Sequence, residues 1–285
     1  TLRQVISGLG GSKNGVPRET GFDITSASEV MAILGLSMDA KDLRKRLGDI
    51  VVATDTDGQP VTAEALGAAG AMAVVLKDAI HPTFMQTLEG TGCFVHTGPF
   101  ANIAHGNSSI VADKIALKLC DYVVTESGFG ADMGAEKFFN IKCRVSGLKP
   151  DAAVVVATIR ALKVHSGRFK ISPGKPLPEE MLKENIPAVE EGIVNLKRHI
   201  ENVGKFGVPV IVALNRFPTD SDGEVEVVLN MARSFGAFDA VISDVHARGG
   251  EGGAELAEAV VRACEEVPSK FSVLYPDDMP VKEKI

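Results

Sequence analysis

Pro209-Val-Ile-Val-Ala-Leu214 is an unbroken apolar run, and its surroundings decide the fold. Upstream, Val189, Ile193, Leu196, Ile200 and Val203 recur at spacings of 4, 3, 4 and 3, which predicts a long helix over about 187–204. Downstream come a helical pattern over 223–235, a second apolar run at 239–242 and a helix over 254–267. A strand that is apolar throughout, with no alternation, is buried on both faces. Such strands separated by helices predict a parallel sheet with crossover helices.

The same alternation extends towards the amino end. Ala153-Val-Val-Val-Ala-Thr-Ile159 is the most β-branched run, and Asp121-Tyr-Val-Val-Thr125, Cys93-Phe-Val-His96 and Ile50-Val-Val-Ala53 read as further strands of the same kind. Asp55-Thr-Asp-Gly58 is a turn, and helices are expected over 40–47 and 109–119. The glycine-rich stretch 2–23 reads as loop, after which Thr25 or Ser26 caps a first helix. The proline-bearing segment 167–178 separates two halves, 1–165 and 166–285. The reading is an α/β chain with a mostly parallel, doubly wound sheet and a second α/β domain.

Composition narrows the function. Lys and Arg number 30 against 37 Asp and Glu, a net charge of −7, without a basic tail and with 5% aromatic residues. Clustered cations, which nucleic-acid binding requires, are missing. No apolar run approaches the roughly 18 residues of a membrane span. Cys93, Cys120, Cys143 and Cys264 are scattered without C-x-x-C spacing, as in a reduced, cytoplasmic protein. The six His show no metal-ligand spacing. The chain opens at Thr1 in mid-pattern, so a fragment of a longer protein is expected.

Open parallel sheets bind ligands beyond the carboxyl ends of their strands, so the residues after each run are the candidates. Glu126-Ser-Gly-Phe-Gly-Ala-Asp-Met-Gly134 follows 121–125. Glu126 and Asp132 suit a metal or a catalytic water, and Gly128 and Gly130 would let backbone N–H groups approach an anion. A plain polar loop is the alternative. Asn215-Arg-Phe-Pro-Thr-Asp220 resembles a base-recognising N-K-x-D string with longer spacing. A turn Asn with a helix-capping Asp explains it equally well. Ser243-Asp-Val-His-Ala-Arg-Gly-Gly-Glu-Gly-Gly253 places His246 on a loop whose glycines open a helix, and Gly106 to Ser109 lead into another. There is no G-x-x-x-x-G-K-[ST], because Gly174-Lys175 is followed by Pro176. No G-x-S-x-G elbow or post-strand G-x-G-x-x-G is present either, which excludes α/β-hydrolase and dehydrogenase readings.

Long strings carry a family resemblance. Gly15-Val-Pro-Arg-Glu-Thr-Gly-Phe-Asp-Ile-Thr-Ser-Ala-Ser-Glu-Val-Met-Ala32, Met85-Gln-Thr-Leu-Glu-Gly90, Gly98-Pro-Phe-Ala-Asn-Ile-Ala-His-Gly-Asn-Ser-Ser109, Thr125-Glu-Ser-Gly-Phe-Gly-Ala-Asp-Met-Gly134 and Glu136-Lys-Phe-Phe-Asn-Ile-Lys-Cys143 resemble formate–tetrahydrofolate ligase, also called formyltetrahydrofolate synthetase. The likeness covers essentially the whole chain. It implies ATP-dependent formation of formyl phosphate and formyl transfer to N10 of tetrahydrofolate, with Mg²⁺ and a monovalent cation. It also implies a dimeric or tetrameric homo-oligomer and a P-loop-type nucleotide-binding domain, of which 1–165 is part, its P-loop lying upstream of Thr1. By the same likeness Phe129, Phe217, Pro218, Ile242 and His246 belong to the folate and nucleotide pocket. His246 stands where relatives commonly place Trp. The competing class is a non-catalytic nucleotide-binding or assembly module of the same fold.

Overall fold

Val210, Ile211, Val212, Ala213 and Leu214 are all buried, as an unbroken apolar strand requires. The structure is a computed structural model that describes residues 4–21, 28–172 and 174–285. Thr25 and Ser26 lie outside the described residues. Two compact units divide the chain, Thr1–Phe129 and Gly130–Ile285.

In the first unit β1 (Val5–Ser7) pairs antiparallel with β2 (Arg18–Thr20). Helix α1 (Glu29–Leu36) is capped by Ser28, which accepts from Met31 N. α2 (Ala40–Gly48) is capped by Asp39, and β3 (Val51–Thr54) pairs with β4 (Pro60–Thr62). Then follow α3 (Ala69–Val75), β5 (Thr83–Gln86) paired with β6 (Gly92–Val95), and α4 (Ile110–Leu119) capped by Ser109. Leu34, Leu43, Leu47 and Ile80 form a small core with Ile50 and Met72 against it.

Three strand expectations are corrected in this unit. The runs at 50–53 and 93–96 are not central parallel strands: β3 and β6 each belong to an antiparallel hairpin, and β3 is exposed throughout. Locality explains this. Asp55 Oδ1 accepts from Asp57 N and Gln59 N, and Gly58 at φ 79° closes the turn, so the nearest partner strand is a few residues away. The run 121–125 forms no strand, and Tyr122 and Val124 are exposed.

The second unit opens with two π-helical turns, Gly130–Ala135 and Phe138–Cys143, which run into α5 (Arg144–Ser146). β7 (Ala153–Ala157), β8 (Val210–Asn215) and β9 (Asp239–Ser243) form a parallel sheet in the order β7-β8-β9, with Val155 opposite Val212 and Val212 opposite Ala240. Between them lie α6 (Ile159–His165), α7 (Ile186–Gly192), α8 (Val194–Gly204) and α9 (Asp222–Ser234). After β9 come α10 (Val245–Arg248), α11 (Ala254–Glu266) and α12 (Val281–Lys284). The helix expected over 187–204 is interrupted at Ile193, yet all five periodic apolar residues are buried.

The period of two sorts the β8 side chains onto two faces. Val210, Val212 and Leu214 join the main core with Leu196, Ile200, Val225 and Val228 of α8 and α9. Ile211 joins Ala259 and Ala263 of α11 on the other face. Both faces of β8 are thus covered by helices. The fold is mixed α/β with one three-stranded parallel sheet, smaller than the sheet expected. The sequence boundary at 165/166 falls inside this unit, where β7 and α6 share one core with β8 and β9.

Candidate functional site

Parallel strands bring three chain segments to one edge. The carboxyl ends of β7, β8 and β9 lead into Thr158, Asn215 and Ser243–Asp244, and Asn215 lies opposite Ser243 in register. Thr158 caps α6 by accepting from Ala161 N at 3.1 Å, which sets Arg160 in its first turn. The loop after β8 is locked on itself: Phe217 N donates to Asp220 Oδ2 at 2.8 Å, and Asp220 N donates to the Phe217 carbonyl at 2.9 Å. Arg216 N ties it to β9 by donating to the Ser243 carbonyl at 3.2 Å.

Phe217 is half-buried and lies beneath the Arg160 guanidinium, whose carbon is 3.9 Å from the ring centroid. Arg160 Nη2 donates to Thr219 Oγ1 at 3.2 Å. Asp220 is buried. Burial pushes its carboxyl above the ordinary range, against the opposing pull of the Phe217 N–H and the nearby Arg160 charge. Behind this edge Lys163 and Glu224 make a buried ion pair at 2.5 Å. Lys163 Nζ also donates to the carbonyls of Met181 and Lys183. Glu224 completes a capping box with Ser221 at the start of α9. Asp220 is therefore not the helix cap; Ser221 is.

On the β9 side Asp244 N donates to the Gly252 carbonyl at 3.0 Å, closing the loop that carries His246. His246 is exposed on α10, Pro218 is exposed, and Ile242 is half-buried against the main core. The loop after β8 and the first turn of α6 thus offer an aromatic face and a cation at the strand edge, pieces that serve to orient a flat ligand.

A family model described as formate–tetrahydrofolate ligase matches residues 1–285. Curated proteins of that name from Roseiflexus sp., Desulforamulus reducens and Saccharopolyspora erythraea are 60%, 58% and 57% identical over 284 residues, covering 100% of this chain and 50% of each relative. The chain belongs to the formate–tetrahydrofolate ligase family. It spans about half the length of the curated relatives it matches.

Within this ligase-family chain Asn215 ends β8 with Phe217 and Pro218 in the loop after it, while Ile242 lies in β9 and His246 on α10 beyond it. Asp132 is exposed on the first π-helical turn of that unit, and Gly130 opens the turn at φ 64°. Glu126, Gly128 and Phe129 belong to the first unit, where Glu126 and Phe129 are exposed. Glu126 follows an extended segment, not a sheet strand. Gly128 has a packing reason of its own: at φ 78°, a Cβ there would stand 2.9 Å from the Gly106 carbonyl oxygen. Among the described residues no group of three or more His, Cys, Asp or Glu is placed to hold a metal ion. Mg²⁺ that arrives on substrate phosphates needs only one or two protein carboxylates. Glu126 and Asp132 are exposed acids of that kind, one on each unit.

Arg160 and the Asp220 lock are absent from the sequence reading. The apolar run there extends through Ile159, whereas the strand ends at Ala157 and Thr158 caps a helix. A Thr followed by helical spacing was the available signal.

Proposed function

We propose that this chain forms part of an ATP-dependent formate–tetrahydrofolate ligase, with the carboxyl edge of β7–β9 as its pterin-binding crevice. A formate oxygen attacks the γ-phosphorus of ATP, ADP leaves, and formyl phosphate results. N10 of tetrahydrofolate then attacks the formyl carbon, phosphate departs with the C–O electrons, and N10 loses its proton. Phosphorylation is needed because a free carboxylate has no adequate leaving group. The protein's work is to align two substrates and neutralise charge.

Residues take their proposed roles accordingly. Phe217 and His246 present flat faces to the pterin, with Pro218 and Ile242 as apolar walls. Asn215 reads a base edge, Gly128 and Gly130 admit phosphate oxygens, and Glu126 and Asp132 serve the ATP step. The first unit is proposed as part of a nucleotide-binding domain of the P-loop type, and Gly130–Ile285 as the second domain. The intact enzyme is proposed as a cytoplasmic homo-oligomer that uses Mg²⁺ and a monovalent cation. The observation that carries the reading is the Phe217 ring, held on the sheet edge by Arg160 above it and Asp220 behind its backbone.

Titration of the chain with tetrahydrofolate and with ATP tests it. Phe217→Ala should weaken tetrahydrofolate binding about tenfold, near 1.4 kcal/mol, and change ATP binding less. His246→Trp should tighten it by adding stacking area. Loss of ATP binding with folate affinity intact in Phe217→Ala would give the crevice to adenine instead. The chain supplied with ATP, Mg²⁺, formate and tetrahydrofolate should form no 10-formyltetrahydrofolate, since it contains no lysine-bearing phosphate loop. Product at enzyme-like rates would overturn that expectation.

A further inference from the structure

Arg160 stands apart among the arginines of the second unit. Each of the others lies within 3.4 Å of a carboxylate oxygen. Arg160 makes no ion pair among the described residues. Its Nη2 reaches the Thr219 hydroxyl, its Nε is buried without a hydrogen-bond partner, and Nη1 makes no hydrogen bond among those residues. Asp220, an acid near it in space, accepts the Phe217 N–H and makes no direct ion pair with Arg160, although the two charges attract at longer range. A half-buried guanidinium with no direct ion pair and an unpaired Nε is costly, and that cost falls when a ligand supplies an oxyanion within hydrogen-bond reach.

The position is equally specific. Arg160 follows β7, the first strand of the parallel sheet, and stacks on Phe217, which follows β8. The ring contact and the Thr219 hydrogen bond anchor the guanidinium, whose nitrogens form a planar fork. Such a fork matches the paired oxygens of a carboxylate or a phosphate. The chain as a whole carries −7, which makes an unpaired cation on a ligand-binding edge a feature to explain.

We propose that Arg160 is the anion-recognising residue of this crevice and pairs with an oxyanion of the ligand that stacks beside Phe217. The proposal deepens the reading given above and rests on Phe217 lining the site. Two sources supply that chemistry: the glutamyl carboxylate of tetrahydrofolate and the phosphate of a nucleotide.

Equilibrium titrations of the 285-residue chain separate them, using tetrahydrofolate, tetrahydropteroate (which lacks the glutamate), ATP and pyrophosphate. Arg160→Met keeps the long apolar stem and removes the charge. If the anion is the glutamate, Arg160→Met weakens tetrahydrofolate about tenfold and leaves tetrahydropteroate within about twofold. If it is phosphate, ATP and pyrophosphate weaken about tenfold and tetrahydrofolate does not. In either case Arg160→Lys recovers part of the loss, because a point charge replaces the fork. Equal weakening of tetrahydrofolate and tetrahydropteroate, with ATP unchanged, would reduce Arg160 to a prop for the Phe217 ring and overturn the proposal. So would no change with any ligand, or a wild-type chain that binds none of them at millimolar concentration. Thermal melts of each variant exclude unfolding, and Arg160→Gln replaces Arg160→Met if the latter fails to fold. Phe217→Ala runs in parallel. If it leaves tetrahydrofolate binding unchanged, the pterin assignment falls, while the pyrophosphate arm still decides Arg160.

Discussion

Glu224→Gln should lower the unfolding free energy by about 3–5 kcal/mol at pH 7, the cost of leaving a buried charge without its partner. Lys163 and Glu224 are 2% and 0% exposed, so neither can turn to water when the other is lost. Glutamine keeps the shape and can still accept from Asn185 N or Ser221 N, but Lys163 then faces only carbonyl oxygens. Replacing both, as Lys163→Met with Glu224→Leu, should cost less than Glu224→Gln alone, since no unpaired charge remains. The pH dependence follows from the carboxyl's position. Burial would raise the Glu224 pKa, but the Lys163 bond and the two backbone N–H bonds outweigh it and hold the group below its ordinary 4.5. Its ionised form is thus favoured in the folded state. The stabilisation is complete above the ordinary value and is lost as pH falls through the lower, folded one. Urea midpoints for wild type and Glu224→Gln should converge as pH drops from 5 towards 3. A loss under about 1 kcal/mol at pH 7 would mean that the pair is not the isolated buried charge the structure describes.

Legibility in the sequence depended on where each strand's partner lay. Ala153–Ala157, Val210–Asn215 and Asp239–Ser243 are separated by helices, and a strand followed by a crossover helix has a parallel neighbour almost by necessity. An apolar run at Val51–Thr54 looks the same in isolation. Its partner, Pro60–Thr62, is short and begins with a residue that rarely marks a strand. The turn at Asp55–Gly58 was readable, yet the hairpin it makes was not. Asp121–Thr125 has the composition of a core strand, but an apolar run becomes a strand only when another strand offers hydrogen bonds to it.

The candidate site was legible in part for a similar reason. Phe217, Pro218, Ile242 and His246 were marked by a long family likeness and by the rule that ligands sit beyond strand ends. Arg160 was not. Its proposed role depends on a ring 57 positions later in the chain, and no spacing rule links the two. The same holds for Lys163 and Glu224, ordinary helix-surface residues by type, which only tertiary packing turns into a buried pair.

Gly192→Ala is expected to destabilise the chain by about 3 kcal/mol or more and to disturb the crevice as well. Gly192 ends α7 where that helix meets α6. A Cβ there would overlap the Leu162 carbonyl oxygen and stand 2.8 Å from the Leu162 carbonyl carbon and 3.0 Å from Ser166 N. These are backbone atoms, so no side-chain rotation relieves the clash; one helix must move. α6 carries both Arg160 and Lys163, and their partners, Phe217 and Glu224, sit on other elements. Displacing α6 therefore strains the stacked ring and the buried pair together, and the losses are not independent. Gly204 is the internal control. It closes α8 with nothing within 4 Å of where an alanine methyl would sit, so Gly204→Ala should stabilise by roughly 0.5–1 kcal/mol through lower unfolded-state entropy. Urea unfolding of both variants gives the comparison, and tetrahydrofolate titration of Gly192→Ala reads the crevice. If Gly192→Ala matched wild type within about 0.5 kcal/mol, α6 and α7 would not pack as closely as the Leu162 contact requires.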